Sequence, residues 1–160
     1  MNKIIKEKIQ VILDEMAVQG VTLRSQRAYI LATVQHETNG TFLPVKEGYW
    51  LKNPDTYLKG KIYYPYYGRG YVQLTWKMNY ERFAVLLAKP LVKDPDLVME
   101  PRIAAFILVY GFRKGSFTGK SLETYVNEEK TDFKNARRCI NGTDKAELIA
   151  EYAKVWETKL

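Results

Sequence analysis

A predominantly α-helical α+β fold is predicted by three features of the chain. Apolar residues recur at three- and four-residue spacing through most of its length, one short segment alternates with period two, and a glycine- and proline-punctuated tract between them permits no long helix. With 160 residues, 46% hydrophobic content and no Gly/Ser linker or internal repeat, the chain is expected to form one domain, residues 1–160, whose core needs no metal or disulfide staple.

The elements follow in order. In MNKIIKEKIQVILDEM, Ile5, Ile9, Ile12 and Met16 mark one face of an amphipathic helix, while Lys6, Glu7, Lys8, Asp14 and Glu15 break any apolar run. That pattern is neither a signal peptide nor a membrane span. Ser25 is expected to cap a helix running to about Thr38. From Asn39 to Gly70 the residues Gly40, Pro44, Gly48, Asn53-Pro54-Asp55, Gly60, Pro65 and Gly68 leave an irregular tract, the kind of segment that carries function when it occurs inside a compact domain. GYVQLT then alternates, with Tyr71, Gln73 and Thr75 on one face and Val72, Leu74 and Trp76 on the other. A helix is predicted from Trp76 to about Ala88, ended with the help of Pro90, and an almost uniformly apolar, buried one after Pro101. Ser121 and Thr131 are expected caps of two short helices. The last helix should start at Thr143 or Asp144, with Asp144 and Glu147 as a capping box and Leu148, Tyr152 and Val155 facing inward.

The formal charge of +7 (pI ≈ 9.3) attracts polyanions over a Debye length of roughly 8 to 10 Å. Nucleic acid, an anionic membrane and an anionic bacterial wall all fit, as does a merely solvated basic surface, since the basic residues do not cluster. A single cysteine, Cys139, and a single histidine, His36, exclude an internal disulfide and a structural zinc site. The expectation is a protein made in a reducing cytoplasm without a signal peptide.

Two carboxylates stand out. Glu37 continues the apolar stripe of Ile30 and Val34 at the C-terminal end of its helix, where partial burial and the helix dipole both favour the protonated form that a general acid requires. The competing reading is that Glu37 pairs with a nearby arginine. Glu47 lies in the loop VKEGYW beside Lys46, a setting that should keep it ionised as a general base. Such a pair suits glycoside hydrolysis, whose oxocarbenium-like transition state needs an acid on one face and a carboxylate on the other. YYPYYGRGYVQLTW, residues 63–76, could fill a core, stack on bases or line a sugar groove; Gln73, Thr75 and Asn79 interleaved with rings fit sugar hydroxyls best.

HET at 36–38, YYGRGYVQLTW with MNY at 66–80, DPDLV at 94–98 before a helix containing AAF, and CING at 139–142 resemble, in this order, glycoside hydrolase family 19, especially its compact phage endolysin branch. The resemblance covers about residues 25–145. It implies a lysozyme-like, two-lobed fold with a small β element beside a cleft, and inverting cleavage of β-1,4 bonds between N-acetylated amino sugars without a cofactor or metal. Position by position it implies Glu37 as general acid, Glu47 as base and Thr75 as holder of the attacking water. Gln73, Asn79 and Asn141 fall on substrate-binding positions, and Tyr71 shares the face of Gln73 and Thr75. In an inverting enzyme the two carboxyls lie roughly 6.5 to 9.5 Å apart. The usual INGG of the family reads INGT here, at 140–143. His36 is taken as an orienting or structural residue, and the role of Arg69 stays open.

The function expected is therefore a monomeric endolysin acting on the glycan strands of bacterial peptidoglycan after the membrane is permeabilised. A chitinase proper is the alternative within the class. A nucleic-acid binder or an inactive wall-binding module is the alternative outside it, although the chain carries no recognition-helix, RNP-type or zinc-finger motif. Membrane insertion is not expected.

Overall fold

The computed structural model describes all residues 1–160. It is a mainly helical α+β chain: α1 (Lys3–Val18), α2 (Arg24–Glu37), β1 (Val45–Lys46), α3 (Pro54–Lys59), β2 (Arg69–Gly70), α4 (Lys77–Leu87), α5 (Pro101–Lys114) and α6 (Ala146–Lys159), with 3₁₀ turns at Pro95–Met99, Leu122–Thr124 and Asn135–Cys139. No helix is long and apolar enough to cross a membrane. Two compact units are formed, one from Met1–Phe42 with Ala105–Leu160 and the other from Leu43–Ala104.

In the first unit α1 is capped as its sequence suggests, the Asn2 side chain accepting from the Ile4 amide at 2.7 Å, and it buries Ile9, Ile12 and Met16. Helix α2 is sequestered all round from Ala28 to Val34 and packs most extensively on α6. The α6 face that meets it is Ala146, Ile149, Ala150, Ala153 and Trp156. Three alanines there let the two helices approach closely. This corrects the expected inward stripe by one residue: Leu148 and Val155 are exposed and Tyr152 is only half-buried. Trp156 anchors the end of α6, donating from Nε1 to Gln35 Oε1 at 2.8 Å and packing edge-on against Phe42. Tyr29 is held between Phe112 and Phe133.

Three expected side-chain caps do not form. Ser25 lies buried inside the first turn of α2, which begins after Leu23 without a side-chain cap. Thr131 pairs with Val126 in a β-bridge, and it is Asp132 that accepts from the Asn135 amide at 3.0 Å. Asp144 and Glu147 form no capping box, because α6 starts after Lys145 in a left-handed conformation and Glu147 pairs instead with Lys134 at 3.5 Å.

In the second unit β1 and β2 pair antiparallel, Val45 opposite Gly70 and Lys46 opposite Arg69. GYVQLT does not continue as a strand. The chain reverses at once, Arg69 bridging to Leu74, so the apparent alternation belongs to a tight turn in which Gly70 and Gln73 take positive φ values of 98° and 59°. Its consequence is that Tyr71 and Leu74 are both buried whereas Trp76 is exposed. Helix α4 runs as predicted, from Trp76 at its N-cap to Ala88 in a left-handed C-cap, and buries Tyr80 and Phe83.

Arg69 is the hub of this unit. It is 4% exposed, and its Nε donates to Asp96 Oδ1 at 2.9 Å while Nη1 donates to the Pro65 carbonyl at 2.9 Å and to the Tyr80 hydroxyl at 3.0 Å. Its guanidinium also lies 3.7 Å from the centroid of the Tyr67 ring. Asp96 takes a second cation, Lys46, at 3.1 Å. Burial raises the Asp96 carboxyl, but the bonds from Lys46 and Arg69 outweigh it and hold the group below the usual carboxylate range.

Two measurements test this packing. A methyl group added at Gly111 in α5 would stand 2.1 Å from Phe117 Cζ. Helix propensity alone favours alanine over glycine by about 1 kcal/mol, yet that overlap reverses the sign: Gly111→Ala is expected to cost about 1–3 kcal/mol in urea unfolding, and Phe117→Leu in the same chain to recover part of it. For Asp96, a folded value below the unfolded one means stabilisation that is complete above about pH 4 and lost as pH falls through the lower folded value. The difference in thermal midpoint between the unmodified protein and Asp96→Asn should therefore be largest near neutrality and shrink below about pH 4.

Candidate active site

Glu37 is the last residue of α2. The apolar side chains up to Val34 are fully buried, and three residues on, the stripe ends in this carboxylate with its side chain 20% exposed. Of the two readings of this carboxylate, the structure shows the pairing with an arginine: Arg137, 2% exposed, donates from Nη1 to Glu37 Oε1 at 2.9 Å and from Nε to the Asp144 carbonyl at 2.7 Å. Removing either member would strand a charge away from water, which is the costly way to break a buried pair. The Arg137 carbonyl in turn accepts from the amide of Asn141 at 2.9 Å, which leaves the Asn141 side chain exposed one turn beyond the arginine. Thr38 closes the helix end: its hydroxyl donates to the Val34 carbonyl at 2.7 Å and accepts from the Phe42 amide at 2.9 Å. The first unit thus holds Glu37 and Asn141, joined through Arg137, with His36 half-buried beside Glu37.

Glu47 follows β1 directly. Its backbone amide donates to the Gly68 carbonyl at 2.8 Å, and its Oε1 accepts from the Gly68 amide at 3.1 Å. Oε2 accepts from two phenols, Tyr57 at 3.2 Å and Tyr63 over a shorter bond. Burial, followed by the bond to Glu47, pushes the Tyr63 phenol up, so it stays a protonated donor through the neutral range. The expected cation is absent from this cradle, because side chains alternate along a strand and Lys46 turns to Asp96 instead. Glu47 is held by neutral donors.

Gln73 reaches back to the same loop, donating from Nε2 to the Val45 carbonyl at 2.8 Å. A Cβ at position 68 would lie 2.6 Å from Gln73 Oε1, so glycine there is what lets Gln73 close over the Glu47 segment. The Thr75 hydroxyl donates to the Gln73 carbonyl at 2.9 Å, leaving its oxygen lone pairs to accept from a further partner, and Asn79 Nδ2 donates to the Thr75 carbonyl at 2.7 Å. Gln73, Thr75 and Asn79 are thereby one hydrogen-bonded chain within the second unit, tied through the Val45 carbonyl to the segment that carries Glu47. Tyr71 is placed otherwise than expected: at 2% exposure it is a core residue of the turn and presents no ring face to a sugar. Arg69 belongs to the scaffold beneath this loop.

Sequence reasoning passed over Arg137, Tyr57 and Tyr63 as partners of the two carboxylates. Arg137 stands 100 residues from Glu37 and is distinguished locally only by its place between buried Ala136 and Cys139. The Cys139 thiol itself is pushed up to about 12 by burial and is inert as a nucleophile. No group of three or more His, Cys, Asp or Glu side chains could hold a metal ion.

Comparison with known proteins agrees with this arrangement of motifs. A family model described as chitinase class I matches residues 17–120. An endochitinase of Arabidopsis thaliana is 37% identical over 95 residues, covering 56% of this chain and 32% of its own length. Chitinase 11 of Oryza sativa is 37% identical over 90 residues, covering 53% of this chain and 34% of its own. The chain thus spans about a third of the length of these curated relatives. The fold is shared with a bacterial family 19 chitinase (TM-score 0.65, 21% identity, 95% of this chain and 84% of that one) and with chitinase C of Streptomyces griseus (TM-score 0.62, 22% identity, 99% and 69%). With a match over well over half its residues, this chain belongs to glycoside hydrolase family 19, the chitinase class I family.

Proposed function

We propose that the protein is a glycoside hydrolase of the endolysin type, cutting β-1,4 bonds between N-acetylated amino sugars of bacterial peptidoglycan with inversion at the anomeric carbon. The observation that supports the reading is that the two glutamates of the family-like motifs are each held by defined donors, Glu37 at the end of a buried helix by the Arg137 guanidinium and Glu47 on its loop by two phenols and an amide.

In this mechanism Glu37 gives its proton to the leaving glycosidic oxygen, and the carboxylate left behind is met by Arg137. Glu47 removes a proton from a water that attacks from the opposite face of the sugar. Thr75, with its own proton committed to the Gln73 carbonyl, accepts from that water and aligns it. Gln73, Asn79 and Asn141 supply amides for the N-acetyl and hydroxyl groups of the strand. Neither a metal nor a cofactor enters the reaction.

Positive charge supports the wall as substrate, since peptidoglycan and its attached polymers are anionic and chitin is neutral. The chitinase names of the relatives support the second reading, cleavage of chitin oligomers. Loss of turbidity of outer-membrane-permeabilised bacteria is the first test: the unmodified protein is expected to lyse them, and Glu37→Gln to do so on the order of 10²–10⁴-fold more slowly. Lysis by Glu37→Gln at the original rate would remove the proposed acid. Mass spectrometry of digested sacculi identifies the bond. Reducing N-acetylmuramic acid ends mean lysozyme-type cutting, reducing N-acetylglucosamine ends mean glucosaminidase-type cutting, and soluble products from chitin alone would favour the chitinase.

A further inference from the structure

The two phenols on Glu47 are held as firmly as the carboxylate they serve. Tyr57 lies on α3 with its ring under the backbone of the Glu47 loop: a Cβ on Gly48 would be 3.1 Å from Tyr57 Cδ1, and Lys61 Nζ stands 4.3 Å from the ring centroid on its own account. Tyr63 is half-buried and packs its ring against Trp76, centroids 5.3 Å apart at 66°. Both hydroxyls point at Oε2, whereas Oε1 receives a single amide, that of Gly68, at 3.1 Å.

This division of donors has a chemical consequence. A carboxylate oxygen carries two lone pairs in the carboxyl plane, so two phenols occupy Oε2 while Oε1 keeps room for one more donor. A base on a mobile loop side chain would also lose activity through disorder, because proton abstraction from water tolerates little misplacement. Resting on the assignment of Glu47 as base, we propose that Tyr63, assisted by Tyr57, is its positioning residue: the phenols hold Oε2 so that Oε1 is the atom presented to the nucleophilic water. Neutral hydroxyls do this without neutralising the carboxylate, which a lysine in the same place would do. The longer bond and greater exposure of Tyr57 make it the lesser partner.

The test compares Tyr63→Phe, Tyr57→Phe, Glu47→Gln and, as a control, Tyr64→Phe, whose ring is exposed and makes no bond to Glu47. Each is measured for kcat and KM on whichever of sacculi or chitin oligomers the unmodified protein turns over, together with its thermal midpoint. Tyr63→Phe is expected to lower kcat about tenfold or more while KM stays within about a factor of two. Tyr57→Phe should lower kcat less, and Tyr64→Phe not at all. Carbon-13 NMR of the Glu47 carboxyl gives a readout that needs no turnover: its resonance should move in Tyr63→Phe and Tyr57→Phe and stay in Tyr64→Phe. An unmoved resonance, or full kcat in Tyr63→Phe while Glu47→Gln is inactive, overturns the positioning role and leaves the base assignment standing. So does a loss that tracks a fallen thermal midpoint with KM rising alongside. Full activity in Glu47→Gln removes the base itself, and the clamp with it, so the two failures are distinct.

Discussion

A guanidinium can leave water only if its N–H groups find acceptors, and this requirement organises both compact units. In one, Arg137 is met by Glu37 and the Asp144 carbonyl; in the other, Arg69 is met by Asp96, the Pro65 carbonyl and the Tyr80 hydroxyl. Each arginine ties together segments far apart in the chain, Glu37 to Arg137 across 100 residues and Arg69 to Asp96 across 27. Each also lies near one of the two candidate carboxylates. Arg137 binds Glu37 outright, and Arg69 fixes the β2 strand whose neighbour, Gly68, donates to Glu47. The chemistry proposed for the site therefore depends on the same bonds as the local fold.

The crowding of rings between positions 63 and 80 resolves into three separate duties. Tyr67, Tyr71 and Tyr80 are core, and Tyr67 and Tyr80 also contribute to the cage around Arg69. Tyr63 turns its hydroxyl to Glu47 and its ring to Trp76. Trp76 remains exposed, with a surface that suits a flat apolar face such as that of a pyranose, and Tyr64 leans on Tyr67. None of the three duties, packing, holding a carboxylate or meeting a ligand, accounts for the whole tract. A glycine at 68 is what permits them to coexist, since it lets Gln73 fold onto the loop between them.

Helices declared by strong periodicity were legible. The face of α1, the limits of α4 and the burial of the helix after Pro101 all follow from apolar spacing and from proline at a helix start. Caps were less legible: Ser121 does stand at the start of its short helix, but Ser25, Thr131 and Asp144, capping residues by type, cap nothing, because a type preference does not fix where the chain turns into a helix. The face of α6 was misread because leucine and valine outrank alanine on any hydrophobicity scale, while close approach to α2 selects alanine for its size. GYVQLT misled through its period: a tight turn can bury Tyr71 and Leu74 without alternating like a strand.

The amino-acid sequence by itself determined the helical class, the family and the two candidate glutamates, since these reside in local spacing and in short contiguous motifs. Only the tertiary structure decided what surrounds those glutamates. That Glu37 meets Arg137, that Lys46 leaves Glu47 for Asp96, and that two tyrosines take its place are outcomes of long-range packing. Partners brought together by a fold across tens of residues leave no periodic trace along the chain, because the energy that selects them comes from burial and hydrogen-bond satisfaction in three dimensions.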